Sequence, residues 1–446
     1  MPDTVLPLLS IVQPESPDEL RDVVRDHAAH GTPLCPLGGR QSLRYGAAMT
    51  RDGVGVCTTG MRRCIDYPAD DLTVTVEAGM TFAELSAILA EKNQRLAWDV
   101  FDPEQATVGG ILATAWSGPR RWRWGDVRDS VVGITVVDGT GRSFRSGGRV
   151  VKNAAGYELG RLFCGTLGTF GIITEVTLAV RPLPETHAWV LCRHPFPDRS
   201  EELFRELTAN RMIPSAALVA VGGDFDSMGI PENEDGNERE PRENEALFAV
   251  EYEGEASEVG WMLDETLNLF SRIGLSPQEV LDADSEPLLH GFAAAAVGGT
   301  GKTGLSICGM PGDAAEMLWK LRDPQRKSVS SDSPEYGLAE NAMNAGICDT
   351  LVADLGTGVL RGRTDLRPER VARWVRDLRR DSAQEKYAMK VTVVDAPIDS
   401  TTPEIWDIPT VWGDRGPNFP LFETLKKTFD PEGILNPGRY IFHGRM

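Results

Sequence analysis

Residues 106–118 read ATVGGILATAWSG, and this stretch decides how we interpret the fold. Gly109 and Gly110 stand at the start of a short helix-like run, and paired glycines let backbone amides approach an anion without a Cβ in the way. The dipole of a helix that begins here would favour a phosphate at its N-terminus. A tight turn is the alternative interpretation, since glycine-rich turns are common.

A second glycine pair stands earlier in the chain, where residues 36–42 read PLGGRQS. This loop directly follows a predicted helix and a short strand, which is the setting in which backbone amides turn toward an anion. Two such loops suit a pyrophosphate better than either loop suits a single phosphate. Taken alone, each loop is also consistent with a simple turn.

Short helices and strands alternate through the first third of the chain. A capping box from Ser16 to Glu19 predicts a helix that stops at Gly31, and a second capping box at Thr81 opens another helix. Alternation of apolar and polar side chains predicts strands at residues 53–58 and 71–78, and runs rich in β-forming residues predict strands at 131–137 and 171–180. Two prolines follow the last of these strands, so we place a domain boundary near residue 184.

The middle of the chain has the pattern of helices that cover one face of an antiparallel sheet. The predicted elements are strands at 246–252, 304–308 and 390–397 and helices at 256–272, 313–322 and from Pro368 onward. Residues 224–245 contain nine Asp or Glu and almost nothing apolar, so this segment is expected to be a flexible surface loop.

Composition excludes several classes of function. The chain has 46 Lys and Arg against 66 Asp and Glu, a net charge of −20, so a phosphate backbone would repel it and we exclude nucleic acid as the main partner. The N-terminus lacks the basic start of a secretory signal, and no apolar run reaches the roughly 18 residues of a membrane span, so we expect a soluble cytoplasmic protein. The seven cysteines form no CxxC pair and the six histidines no HExxH motif, so no metal site is predicted.

Four further segments, read together with the two glycine loops, identify a family. They are SGPRRWRWGDVRD at 117–129, GGRVVKNAAGY at 147–157, RLFCGTLGTFGIITE at 161–175 and DPEGILNPGR at 430–439. In this order the chain resembles FAD-binding proteins of the p-cresol methylhydroxylase and vanillyl-alcohol oxidase type. Within that family it resembles the FAD-binding E subunit of glycolate oxidase. The resemblance is strong over residues 1–184, clear in the C-terminal tail and weak between them.

The resemblance implies an α+β fold in which two subdomains bind an extended FAD and a cap domain adds an antiparallel sheet. The domains would be residues 1–184, residues 185–405 with the acidic loop 224–245, and residues 406–446, which return to the FAD domain. The glycine loops would hold the pyrophosphate, two later residues would lie along the flavin, and one strand would approach the adenine through its backbone. The implied FAD-binding residues are Pro36, Gly38, Gly39, Arg40, Gln41, Ser42, Thr107, Val108, Gly109, Gly110, Thr114, Ser117, Gly118, Gly171, Ile172 and Ile173.

The resemblance also implies a non-covalent cofactor. Relatives that tether the flavin place a His in the first glycine loop and in some cases a Cys near the second, where this chain has Arg40 and Ala106. Arg40 and Gln41 depart from the more usual Gly and Thr of that loop. The D subunit of glycolate oxidase and related D-lactate dehydrogenases carry a His-x-Gly-Asp-Gly-Asn-x-His element that places bases beside the substrate. This chain has no counterpart, so its catalytic residues stay unknown at this point.

Three hypotheses of function follow. The first is a non-covalent FAD subunit of a glycolate or other 2-hydroxy acid oxidoreductase complex, which passes electrons to a partner. A D-type flavoprotein and an iron–sulfur subunit would be its partners, and through them it would lie at the inner face of the membrane. The second is a flavin-containing scaffold without catalysis of its own. The third is a P-loop nucleotide hydrolase at residues 296–303, AVGGTGKT, which we disfavour because a strand-like pattern follows where a helix is needed.

The segment 120–124 interleaves three arginines with two tryptophans. Its arginines are candidates for a flavin phosphate, for a substrate carboxylate or for a subunit contact. A solvated loop with its tryptophans in the core is the alternative. His290 is a lone histidine, for which a structural role is favoured over a catalytic one.

Overall fold

The computed structural model describes residues 6–148, 159–194, 199–222, 246–274, 279–282, 302–322, 348, 350–382, 389–396 and 404–440. The chain divides into two compact units. Unit 1 comprises Met1–Gly118, Gly125–Leu183 and Ile398–Met446, and unit 2 comprises Pro119–Trp124 and Pro184–Pro397. The segment Pro119–Trp124, which the sequence-based division assigned to the first domain, therefore packs in unit 2.

Unit 1 contains a parallel and an antiparallel sheet. The parallel sheet has the order β1–β3–β2, with β1 at Leu8–Val12, β2 at Leu34–Leu37 and β3 at Gly53–Cys57. The antiparallel sheet has the order β4–β5–β9–β7–β8, with β4 at Cys64–Asp66, β5 at Thr73–Glu77, β7 at Val131–Asp138, β8 at Ser143–Gly147 and β9 at Gly171–Ala179. A small ribbon pairs β6 (Gln94–Arg95) with β10 (Arg181–Pro182).

The described helices are distributed over both units. In chain order they are α1 (Pro17–His30), α2 (Phe82–Ala90), α3 (Val108–Thr114), α4 (Arg121–Trp124), α5 (Leu159–Phe163), α6 (Arg199–Ala209), α7 (Ala256–Arg272), α8 (Ala314–Arg322), α9 (Pro368–Ser382), α10 (Ile408–Trp412) and α11 (Phe419–Phe429). Helices α4 and α6 to α9 belong to unit 2, and the others belong to unit 1.

Local caps determine the first two helices. The amide of Glu19 donates to the Ser16 hydroxyl at 3.2 Å, and Gly31 ends α1 in the left-handed region at φ +63°. Thr81 and Glu84 form the reciprocal pair of hydrogen bonds of a capping box at the start of α2. Both predicted helices are therefore confirmed.

A buried ion pair fastens the C-terminal segment into unit 1. Lys426 Nζ donates to Asp430 Oδ2 at 2.6 Å, and also to the carbonyls of Thr169 at 2.7 Å and Leu435 at 3.0 Å. Asp430 accepts the amides of Ile434 at 3.1 Å and Leu435 at 2.9 Å. Leu435 in turn pairs in parallel with Leu34, so the C-terminal segment runs beside β2.

Unit 2 is built on an eight-stranded sheet whose pairs are all antiparallel. Its order is β14–β11–β13–β12–β16–β17–β15–β18, with β11 at Thr186–His194, β12 at Ala216–Gly222, β13 at Ala246–Gly254, β14 at Glu279–Asp282, β15 at Thr303–Cys308, β16 at Thr350–Asp354, β17 at Val359–Thr364 and β18 at Lys390–Asp395. The predicted α+β class with a large antiparallel sheet is therefore confirmed.

The two faces of this sheet have different surroundings. Tyr252 on β13 points toward α7, where its hydroxyl lies 2.6 Å from the Thr266 hydroxyl. Successive side chains of a strand point to opposite faces, so Glu251 and Glu253 lie on the other face. We call that second face the polar face after these two glutamates, and it also carries a buried apolar cluster that includes Trp189, Leu218 and Val352. Directly paired residues share a face, and the register carries the polar face across the sheet to Arg361 and Arg363 on β17.

Several predictions fall on residues that the structure does not describe: most of the motif at 147–157, the acidic segment 224–245, His290 and residues 296–301. Lys302 is described, and β15 begins at Thr303. A functional P-loop needs a helix to begin at its Lys-Thr pair, so that the helix dipole meets the phosphates. The strand found there makes the P-loop hypothesis wrong.

We expect Asp430→Ala to lower the free energy of unfolding by about 3–5 kcal/mol, because it leaves the charge of Lys426 buried without its partner. Chemical denaturation followed by circular dichroism measures this change. Asp22→Ala, which breaks an exposed ion pair with Arg25 on α1, is the control and should cost less than about 1 kcal/mol. Equal losses in the two variants would contradict the importance of the buried pair.

Candidate functional site

The two glycine loops of the sequence lie directly against each other in unit 1. A Cβ added to Gly38 would stand 2.2 Å from Thr107 Oγ1, and a Cβ on Gly39 would stand 1.6 Å from the carbonyl oxygen of Gln105. Real Cβ atoms do not approach other atoms so closely, so only glycine allows the two loops to meet at these positions. The structure thus brings together the two segments that the sequence analysis singled out.

The first loop presents unused backbone donors. Within the described part of the chain, the amides of Gly38, Gly39, Gln41 and Ser42 donate no hydrogen bond. Arg40 between them adopts the left-handed conformation at φ +62°, which is uncommon for a residue with a side chain. Successive amides in a turn of this kind form a concave site for an anion.

The second loop differs from the sequence-based expectation, because its amides are used within the fold. The amide of Val108 donates to the Met80 carbonyl at 2.9 Å and that of Gly109 to the Ala78 carbonyl at 2.8 Å. The amide of Gly110 donates to the Thr107 hydroxyl, the N-cap of α3, at 3.2 Å. These residues therefore cannot offer the donors that the sequence suggested. Gly109 and Gly110 instead contribute positions without a side chain, and a Cβ on Gly109 would lie 2.9 Å from Ala78.

Side chains near the end of α3 also serve the fold. The Thr114 hydroxyl donates to the Gly110 carbonyl at 3.0 Å, and the buried Ser117 hydroxyl donates to Asp126 at 2.5 Å. A Cβ on Gly118 would lie 2.2 Å from Asp99 Cβ, which fixes how closely these two segments pack. The sequence did not predict the hydrogen bond between Ser117 and Asp126, because the two residues are nine positions apart and no regular pattern connects them.

The other predicted residues occupy the sheets of unit 1. Pro36 belongs to β2, and a Cβ on Gly168 would lie 3.0 Å from it. Gly171–Ile173 form the start of β9, where they pair with residues 136–138 of β7 and are buried. All the predicted FAD-binding residues therefore belong to unit 1, and those of the glycine loops lie together.

A pyrophosphate group fits the first loop. Its oxygens are acceptors with negative charge, and hydrogen bonds from backbone amides to such groups are stronger than those between neutral partners. Gly38, Gly39, Gln41 and Ser42 would hold it through their backbone, while Gly38 and Gly39 pack against Thr107 and Gln105. Gly38 and Gly39 are half-buried and the next three residues are exposed, so the loop is accessible to a ligand.

The arginine and tryptophan segment belongs to unit 2. Arg120 donates from Nε and Nη2 to the carboxylate of Glu251 at 3.1 and 2.6 Å, and both side chains are buried. Arg123 donates to the Glu253 carbonyl at 2.6 Å, and Trp124 Nε1 donates to the Glu253 carboxylate. Arg120 is thus committed to an internal carboxylate. Its Nε and Nη2 atoms are therefore not available to a substrate carboxylate or a flavin phosphate, two of the roles suggested for this arginine cluster.

The polar face of unit 2 carries a row of polar residues across four strands. The register places Thr350 beside Arg363, Arg363 beside Gly304, and Gly304 beside Asp395. Arg363 makes no hydrogen bond or ion pair among the described residues, and its Nε atom is buried. The hydroxyl of Thr350 is likewise buried without a partner. Such a guanidinium can bind a carboxylate with two parallel hydrogen bonds.

Arg361, the other arginine of β17 on the polar face, differs from Arg363 because a carboxylate lies near it. Arg361 lies near Asp354, and burial raises the pKa of that carboxyl to about 6 against the opposing effects of hydrogen bonds and of the charges of Arg121 and Arg361. At neutral pH Asp354 is therefore mostly ionised and partly balances the charge of Arg361. Arg363 is consequently the better candidate for an external anion.

Two further features, a membrane-spanning helix and a metal site, are absent from the described residues. None of the helices in the described ranges combines the length and the hydropathy that crossing a bilayer requires. Those same ranges contain no cluster of three or more His, Cys, Asp or Glu side chains placed to hold a metal ion.

Comparison with known proteins relates these features to a family. Residues 8–147 match the family model described as FAD binding domain. Glycolate oxidase subunit GlcE of Escherichia coli is 34% identical over 167 residues, which cover 37% of this chain and 47% of that protein. Glycolate oxidase subunit GlcD of Bacillus subtilis is 28% identical over 237 residues, which cover 52% of this chain and 49% of that protein.

A mitochondrial cytochrome-dependent D-lactate dehydrogenase of Arabidopsis thaliana is 32% identical over 185 residues, which cover 42% of this chain and 32% of that protein. The chain thus spans a third to a half of the length of these curated relatives. Among solved structures, alkyldihydroxyacetonephosphate synthase superimposes with a TM-score of 0.67 over 96% of this chain and 75% of that one. At 16% identity, this likeness concerns the fold alone.

We expect Gly39→Ala to separate the two glycine loops, because its Cβ would overlap the carbonyl oxygen of Gln105. The free energy of unfolding should fall by about 1–3 kcal/mol, and FAD affinity should fall at least about tenfold. Gly416→Ala is the matched control, since a Cβ there meets no atom within 4 Å. Thermal denaturation and quenching of FAD fluorescence measure the two effects. Unchanged FAD affinity in Gly39→Ala would exclude this loop from the cofactor site.

Proposed function

We propose that this chain is an FAD-dependent oxidoreductase of the p-cresol methylhydroxylase type and a subunit of a 2-hydroxy acid oxidoreductase, because residues 8–147 match the FAD-binding domain and two glycolate oxidase subunits are similar to it. Glycolate is the substrate suggested by the similarity to two glycolate oxidase subunits. The observation that carries the proposal is the glycine loop with unused amides inside the segment that matches the FAD-binding domain. When bound, FAD accepts the hydride and passes the electrons on.

A second feature supports a substrate that carries a carboxylate. Arg363 on the polar face has no partner in the part of the chain that the structure describes, and the buried hydroxyl of Thr350 stands beside it in the sheet. A carboxylate of the substrate would supply acceptors to both groups and would balance the arginine charge. In this proposal Arg363 binds the carboxylate of the 2-hydroxy acid.

Oxidation also requires a base for the proton of the substrate hydroxyl. Arginine cannot serve, because its guanidinium stays protonated at working pH. Asp395 follows Gly304 in the same row of the polar face, and it is the described residue of that row with the chemistry of a base. It is therefore the residue to substitute if the isolated chain reduces its flavin rapidly, and without that result the proposal assigns no base to this chain.

The proposal includes partners. The similarity to two different glycolate oxidase subunits suggests a complex in which this chain works beside a D-type flavoprotein and an iron–sulfur subunit. A cytoplasmic location, at the membrane through these partners, belongs to the same proposal. The alternative is a flavin-containing scaffold without catalysis of its own. It is favoured by the absence of the histidine-rich element and by the commitment of Arg120 to Glu251.

We propose that FAD is bound without a covalent link, since Arg40 and Ala106 stand where tethering residues occur in relatives. Acid precipitation of the purified protein is expected to release all of the yellow chromophore into the supernatant, where its absorption spectrum and mass identify FAD. Flavin that stays with the precipitated protein would contradict this proposal.

Stopped-flow measurement of flavin bleaching by excess glycolate or D-lactate tests the function. We expect slow reduction by the isolated chain and faster turnover after addition of the two partner subunits, because general base catalysis contributes about 10²–10⁴ in rate and the chain lacks the histidine element that relatives use. Fast reduction by the isolated chain would identify it as the catalytic subunit, with Asp395→Asn as the variant that then tests its base. If the flavin is not bleached even when the partners are present, the proposed oxidoreductase function is wrong and the scaffold alternative is supported.

In the same assay, Arg363→Met is expected to raise the substrate concentration for half-maximal reduction at least about tenfold, because it removes a charged donor to the carboxylate. Arg373→Met is the control, since Arg373 is an exposed arginine of α9. The maximal rate should change less than the half-maximal concentration does. Equal behaviour of the two variants would remove Arg363 from the substrate site.

A further inference from the structure

Arg439, in the C-terminal motif of unit 1, is a buried cation with an incomplete set of partners. It is 4% exposed, and its Nη2 atom donates to the carbonyls of Leu43 at 2.8 Å and Tyr45 at 2.5 Å. Its Nη1 atom is buried and has no acceptor. Arg439 is the last residue of the motif at 430–439.

The charge of Arg439 is not balanced by a carboxylate. No residue of the chain forms an ion pair with it in the described structure. Its titratable neighbour is the thiol of Cys35, and burial raises the pKa of that thiol to about 11, so Cys35 is neutral at physiological pH. Burial also lowers the pKa of the guanidinium itself. A buried charge without a counter-charge is unfavourable, which indicates that an external anion completes the site.

The surroundings of Arg439 connect it to the first glycine loop. The carbonyls that it holds belong to Leu43 and Tyr45, which directly follow Ser42, the last residue of that loop. Its own carbonyl accepts the amide of Ala47 at 3.0 Å and Trp412 Nε1 at 3.1 Å. Arg439 is therefore fixed on both sides, and it fixes the residues where the loop ends.

We propose that Arg439 is a positioning residue of the FAD site, and that the pyrophosphate of FAD is the anion that balances its charge. The guanidinium would act in two ways. Its hydrogen bonds to Leu43 and Tyr45 hold the end of the loop, so that the amides of the loop stay directed at the phosphates. Its charge adds an attraction that water screens little, because the group is buried. The inference rests on the cofactor and is independent of the substrate and partners proposed above.

Binding to the full chain freed of FAD tests this inference, with FAD, riboflavin and inorganic pyrophosphate as probes. Arg439→Gln is expected to raise the Kd for FAD at least about tenfold, because the charge-assisted attraction is lost. For the same reason pyrophosphate should no longer raise the Tm of the variant as it does that of the wild type. Riboflavin, which has no phosphate, should bind the variant as it binds the wild type. Arg439→Lys, which keeps the charge, should recover most of the affinity for FAD and pyrophosphate.

Arg51→Gln is the matched control. Arg51 also donates to a carbonyl of the C-terminal segment, that of Gly433 at 2.6 Å, but its side chain is exposed. Its substitution should leave the Kd for FAD unchanged. If Arg439→Gln weakens FAD and riboflavin by the same factor, and Arg439→Lys recovers neither, the residue only supports the fold and the proposal is wrong. If Arg439→Gln does not fold, Arg439→Lys decides: FAD affinity close to that of the wild type supports the proposal, and loss of pyrophosphate binding overturns it.

Discussion

The buried pair of Lys426 and Asp430 is the interaction on which the cofactor-binding unit depends. Two charges removed from water are stable only when every acceptor and donor is satisfied, and here Lys426 has three acceptors while Asp430 also takes two amides of the following turn. This turn leads into the segment that runs beside β2. Since β2 ends at the first glycine loop, the position of that loop depends on residues from the far end of the chain.

The two glycine loops use their backbone amides differently, and their sequences do not show this difference. Both have a glycine pair, but the first keeps its amides for a ligand, whereas the second uses them to attach α3 to the turn after β5. In this chain the donors belong to the first loop, and Gln105 and Thr107 at the second loop hold that loop in place by close contact with its two glycines. The contact between Gly39 and Gln105 joins the two halves.

Features that depend on neighbouring residues were predictable from the sequence, and features that depend on distant ones were not. The ends of α1 and α2 follow from Ser16, Gly31 and the Thr81–Glu84 box, because each cap lies within one turn of its helix. The α+β class followed from periodicity and from resemblance to a family. The pairing of Arg120 with Glu251 joins residues 131 positions apart, and no local pattern indicates such a partner. That Arg363 lacks a partner among the described residues likewise depends on the strand register, which the sequence does not give.

The assignment of Pro119–Trp124 to unit 2 has a consequence for how such proteins can be recombined. Each unit is assembled from separate stretches of sequence, so the backbone passes from one unit to the other four times. Exchange of the second unit between homologues by a single crossover at each end would bring in a new β13 and leave the old hexapeptide behind. Arg120 would then lose the carboxylate that neutralises it wherever the incoming β13 has no acidic residue at the position of Glu251. A chimaera that exchanges the sheet of unit 2 must therefore also exchange residues 119–124, although this segment lies in the first third of the chain.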